Sequence, residues 1–144
     1  MLSPQRLSEV APEAEFRFIA HLPETKLIFP LGNGTWTGTL PSVVAEPGNT
    51  VWGGVFEVPN AQMAAIDVIE GAEGRTPTRS FQAVDREGKR HAVLTHVHQG
   101  AEANGSLGDP SRDYMSLVVA GGRHWGLPAG WVAGLEEYVE DPLF

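Results

Sequence analysis

At 144 residues and 15.5 kDa the chain is one ordinary domain, long enough to bury its own core without covalent staples. It has no cysteine, which excludes disulfide frameworks, thiol catalysis and cysteine-ligated metal centres. Ten Lys+Arg against eighteen Asp+Glu leave a net charge of −8, which argues against a nucleic-acid partner and against docking on anionic membranes.

No run approaches the roughly 20 apolar residues that span a bilayer. The opening residues Met1–Arg6 lack the pattern of a secretory signal, so the cytoplasm is the expected compartment. Seventeen Gly and eleven Pro punctuate the chain at short intervals, which favours strands and turns over a helical bundle. Pro4–Val10 reads as a short helix capped by Ser3. Phe16–Ala20 and Lys26–Phe29 read as two strands separated at Pro23, and Leu31–Thr39 as a Gly/Thr loop. Two further strands, Leu40–Ala45 and Thr50–Val58, flank Glu46-Pro47-Gly48-Asn49, whose composition predicts a turn.

Asn60 is the expected cap of a helix over Ala61–Glu70, with Met63, Ile66 and Ile69 on one stripe and Gly71 as its stop. Thr78–Val84 and His91–His98 are β-rich, and Asp85–Lys89 between them is the clearest hairpin signal of the chain. A polar loop over Gln99–Pro110 leads to a helix capped by Asp109, with Tyr114, Leu117, Val118 and Gly121 at helical spacing. Gly126-Leu127-Pro128 ends it and starts a last helix with Trp131, Leu135 and Tyr138 inward. The sum is α+β: a small, curved, mostly antiparallel sheet or barrel with flanking helices.

Glu70 is the first candidate for chemistry. It closes an otherwise apolar helix stripe, and both burial and the helix C-terminus raise the pKa expected of a carboxyl there, as suits a proton shuttle. A solvated glutamate in a last helical turn is the plainer reading of that residue by itself. Asp67, one turn earlier, is expected to bond a backbone group or an arginine. His96 and His98 share a strand face, but His91 is out of phase and no third ligand comes after them, so no metal site is expected. Gly121-Gly122 inside a helix predicts close packing against the sheet. Trp36, Trp52, Trp125 and Trp131 read as core or loop anchors.

Four segments in order carry a family resemblance. TVWGGVFEV (Thr50–Val58) followed by AIDVIEG (Ala65–Gly71), and PSRDYMSLVVAGGRHWGLP (Pro110–Pro128), resemble motifs of the gamma-glutamylcyclotransferase-like proteins. APEAEFRFIAHLPETKLIF (Ala11–Phe29) is similar to an earlier portion of that family. The resemblance implies a small mixed barrel with flanking helices, around a cavity for a γ-glutamyl group. It implies Glu70 as general acid/base in an intramolecular aminolysis that releases 5-oxoproline from a small γ-glutamyl amine or amino acid. Tyr114 matches the tyrosine of the closing helix, and His96 stands where the family commonly has a tyrosine. With Gly53 of the WGG run, these are the implied substrate contacts. No metal and no organic cofactor is implied.

The chain also departs from the family pattern. It shows no "YGSN" strand-loop, and Met1-Leu2-Ser3-Pro4 resembles the stretch immediately after that loop. The single domain over 1–144 is therefore expected to lack the family's first strand, either because the gene starts further upstream or because this is a degenerate member. An unpaired edge left by that strand predicts a homodimer. The aromatic residue usual soon after "EG" is replaced by Gly74-Arg75-Thr76-Pro77. An enzyme is the expected reading. The alternative is a non-catalytic small-molecule binding module, or a degenerate member without cyclotransferase activity. The leaving amine is expected to meet the loops Leu31–Thr39 and Gln99–Asp109.

Overall fold

The computed structural model describes residues 4–30, 41–98 and 110–139. The expected loops over 31–39 and 99–109, with Trp36, Ser3 and Asp109, lie outside them. The first helix, α1 (Pro4–Val10), spans the expected residues. Two long strands come next, β1 (Glu15–Ile28) and β2 (Ser42–Glu57), paired antiparallel from Glu15↔Glu57 to Ile28↔Ser42.

Each long strand occupies a stretch where two separate strands were expected. Pro23 has no N–H to give a ladder, and it sits at a register shift beside Glu24, whose φ is 57°. On the partner strand the register passes from Ala45 to Thr50, so Glu46–Asn49 leaves the ladder at that point. The turn chemistry is there, with Gly48 at φ 85° and its N–H donating to the Glu24 carboxylate at 2.8 Å. It makes a bulge and no reversal, because the ladder on both sides holds the strand to its partner.

The next helix, α2 (Asn60–Ala72), begins one residue after Pro59, which occupies the cap position without a side-chain bond. Asn60 is inside the helix rather than its cap, and Gly71 is passed without a break. The turn comes at Gly74, φ 81°. The two expected β runs resolve into four strands: β3 (Arg75–Thr78), β4 (Gln82–Asp85), β5 (Arg90–Ala92) and β6 (Thr95–His98). The predicted Asp85–Lys89 hairpin joins β4 to β5. Gly88 there has φ 84°, and the Asp85 carboxylate accepts the N–H groups of Glu87 and Lys89, both at 2.9 Å. The four-stranded sheet runs β2-β1-β4-β5, and β3 pairs with β6 in a separate two-stranded ladder. The His98 N–H donates to Ser42 Oγ at 2.9 Å, bringing the end of β6 to the start of β2.

The closing helices are α3 (Arg112–Trp125) and α4 (Ala129–Glu136). Ser111 caps α3, its hydroxyl accepting the Tyr114 N–H at 3.3 Å, and Gly126 at φ 77° ends the helix where expected. A Cβ on Gly122 would lie 3.3 Å from Leu127 and Val132, so this close approach is to α4 and its lead-in, not to the sheet. Phe29, Tyr114, Met115, Val119, Val132 and Leu135 form the main core cluster, with Trp131 packed against it. Tyr138 lies past the end of α4 and is 39% exposed, contrary to its expected inward place. Leu7, Ala11 and Ile66 join α1 to α2 in a second cluster. No helix among the described residues is long and apolar enough to cross a membrane.

Candidate active site

The helix period places Glu70 one turn beyond Ile66 and two beyond Met63, on the face of α2 that turns inward. The residue is 2% exposed. Gly74 takes the left-handed backbone that a sharp exit from the helix needs, and Arg75 opens β3 with 3% exposure. Its guanidinium Nη1 donates to Glu70 Oε2 at 3.3 Å and to the Tyr114 hydroxyl at 3.5 Å, while Nη2 donates to the Pro41 carbonyl. The guanidinium carbon also stands 5.7 Å from the centre of the Tyr114 ring.

Glu70 and Arg75 form part of the wall of a cavity of about 580 Å³ between the sheet and the helices. Val51, Phe56, Met63 and Trp131 supply apolar wall, and Gly53 and His96 line it too. Nothing lies within 4 Å of where a Cβ on Gly53 would stand, so that backbone faces open space. The His96 ring meets Asp67 Oδ1 at 2.7 Å, which gives Asp67 a histidine partner where a backbone group or an arginine was expected. Tyr114 is not among the residues that line the cavity; its hydroxyl accepts from Nη1 of Arg75, which does line it. Glu70, His96 and Gly53 therefore come together around one hollow, and Tyr114 backs it. Among the described residues no group of three or more His, Asp or Glu side chains is placed to hold a metal ion.

The electrostatics correct one expectation. Burial pushes the Glu70 carboxyl upward, but surrounding positive charge, that of Arg75 and His96 included, outweighs it and holds the group below its ordinary value. The expected rise counted desolvation and the helix end without the positive charge that folding gathers around the carboxyl. Burial pushes the Tyr114 phenol up to about 12, so it stays protonated as a neutral neighbour of the pair. Arg75 is the residue that sequence reasoning missed. Its one signal was its position, a charged side chain where an aromatic one was expected.

The family model described as AIG2-like family matches residues 50–135, more than half of the chain. The chain belongs to the AIG2-like family. The matched span of this AIG2-like chain contains Gly53, Glu70, Arg75, His96 and Tyr114. Gamma-glutamylcyclotransferase of Homo sapiens is 26% identical to it over 132 residues, covering 88% of this chain and 68% of the human one. A solved gamma-glutamyl cyclotransferase superposes with a TM-score of 0.82 at 23% identity, over 97% of this chain and 83% of that one. An uncharacterized protein from Homo sapiens does so with the same TM-score at 24% identity, over 99% and 84%. The resemblance read from ordered segments is thus borne out, and so is the α+β class with its mostly antiparallel curved sheet.

Proposed function

We propose that this AIG2-like protein catalyses the intramolecular aminolysis of a small γ-glutamyl amine or amino acid, releasing 5-oxoproline, with Glu70 as the proton shuttle. The observation that carries the reading is a buried, ionised carboxylate at the wall of a cavity large enough for such a molecule. The relationship to proteins named gamma-glutamylcyclotransferase supports the reaction class.

The chemistry proceeds in four moves. Glu70, held ionised, accepts a proton from the substrate's α-ammonium. The freed amine attacks the γ-carbonyl carbon of the same glutamyl unit, and holding both ends in one cavity removes the entropic cost of bringing them together. The new C–N bond closes a five-membered lactam. The old amide C–N bond breaks as Glu70 gives its proton to the departing nitrogen. The second proton of the attacking nitrogen, made acidic by the new C–N bond, passes to the freed amine, which leaves as an ammonium with Glu70 again ionised. Gly53 offers backbone beside the reacting group, and His96, fixed by Asp67, borders it.

The test is release of 5-oxoproline from γ-glutamyl dipeptides by the purified chain and by Glu70→Gln. Turnover by the parent and its loss in the variant are expected. A parent that releases none, or a variant as active as its parent, overturns the proposal. Binding of a γ-glutamyl dipeptide with no release by the parent is the signature of a non-catalytic binding module.

A further inference from the structure

The cavity contains one feature that proton shuttling does not require: a second, opposite charge sealed beside the first. Among the described residues, Glu70 and Arg75 are the buried charged side chains of its wall. A buried ion pair seldom stabilises a fold more than apolar residues of the same volume would, so its presence beside a hollow calls for a use. Arg75 has five N–H donors. Three of them meet acceptors on Glu70, Tyr114 and Pro41, which leaves two without a partner among the described residues. The guanidinium cannot shed its charge, and its planar fork fits a carboxylate.

We infer that Arg75 reads the α-carboxylate of the γ-glutamyl unit, so that the Glu70–Arg75 pair is a receptor for an unmodified α-amino-acid head group. The inference rests on the functional reading above and names the residue that selects its substrate. An α-amino acid carries an ammonium and a carboxylate on one carbon, and the cavity wall presents the complementary carboxylate and guanidinium 3.3 Å apart. With Glu70 taking the ammonium and Arg75 the carboxylate, the bound molecule interleaves with the protein's own pair and leaves no buried charge uncompensated. The Tyr114 ring and the Pro41 carbonyl hold the guanidinium from behind and to the side, so its position is set before the ligand arrives. Amides or esters of the α-carboxyl, and head groups lacking it, would leave Arg75 facing a neutral group in a desolvated place.

The experiment compares two substrates that differ in that carboxylate alone. γ-Glutamyl-alanine closes to 5-oxoproline, and 4-aminobutanoyl-alanine, with the same amine and amide, closes to 2-pyrrolidinone. For the unaltered protein kcat/KM is expected to favour the glutamyl compound by about 100-fold or more, the scale of losing one partner of a buried charge pair. In Arg75→Gln that preference collapses to within a few-fold, whereas Arg75→Lys keeps a part of it. A merely structural arginine lowers both substrates together and leaves their ratio unmoved. Equal turnover of the two substrates by the unaltered protein overturns the inference while cyclisation stands, and it needs no variant to fold. If neither is turned over the cyclisation reading fails, and calorimetric binding of L-glutamate against 4-aminobutanoate decides the inference alone. Binding of glutamate only supports it, and equal binding or none overturns it.

Discussion

The carboxylate of Glu70 and the guanidinium of Arg75, five residues apart in the chain, meet inside the molecule at 3.3 Å with 2% and 3% of their surfaces exposed. Neither charge has water to turn to if the other is removed. Arg75→Met is therefore expected to cost about 3–5 kcal/mol, the scale for stranding a buried ion. Glu70→Gln combined with Arg75→Met removes both charges and recovers a large part of that loss. The check is the urea midpoint of the parent and the two variants at unchanged slope. A single variant as stable as the parent would mean that the pair is open to solvent.

Acid acts on the same pair. The folded-state pKa of Glu70 lies below its ordinary value, so the carboxylate's contribution is full above the unfolded value of about 4.3 and is lost as pH falls through the folded value. The sign comes from proton uptake: between the two values the unfolded chain binds the extra proton, so stability rises with pH there. The stability gap between the parent and Glu70→Gln is expected to be flat near neutrality and to close on acidification below about pH 4. Asp85 is also held low, first by its bond to His91, but it is common to both proteins and cancels in the difference. A gap that stays constant down to about pH 3 contradicts the assignment.

Asp67 and His96 provide the contrast at the rim. They approach to 2.7 Å, closer than the buried pair, yet the Asp67 side chain is 45% exposed. Water replaces what such a contact loses, and Asp67→Asn is expected to change stability by less than about 1 kcal/mol. The same unfolding curves measure it. A loss as large as that for Arg75→Met would show that short distance, rather than burial, sets the energy here.

Gly71 and Gly74 predict opposite signs three residues apart. Gly71 sits inside α2 with nothing within 4 Å of a Cβ, so Gly71→Ala is expected to stabilise by up to about 1 kcal/mol through helix propensity and a less flexible unfolded chain. Gly74 has φ 81°, and Gly74→Ala is expected to cost about 1–2 kcal/mol because a Cβ opposes that backbone. Since Gly74 carries the chain from Glu70 to Arg75, this variant also disturbs the pair, and its substrate preference should fall with its stability. Thermal melts of the two variants side by side read both signs.

Much of the local structure was legible in short stretches. α1 matches its expected bounds, the Asp85–Lys89 hairpin forms with Gly88 at positive φ, and Gly126 ends α3. These features depend on a few neighbouring residues, whose backbone preferences and side-chain bonds act within one turn. The same local logic misread Glu46–Asn49 and Pro23, where a long ladder carried both strands through residues that by themselves favour a break. Asn60 lost the cap position to Pro59, and Ser111 took the capping of α3, shifts of one or two residues such as helix ends allow.

The amino-acid sequence by itself determined the α+β class, the family and the candidacy of Glu70, because composition, turn residues and ordered segments are properties of neighbours along the chain. Only the tertiary structure decided that Arg75 turns in to face that carboxylate, that Tyr114 backs the arginine, and that Asp67 takes His96 as its partner. It also reversed the direction in which Glu70 titrates. The physical reason is that a charge in a desolvated place responds to whatever lies within a few ångströms. Those neighbours come from α2, β3, β6 and α3, which only folding brings together.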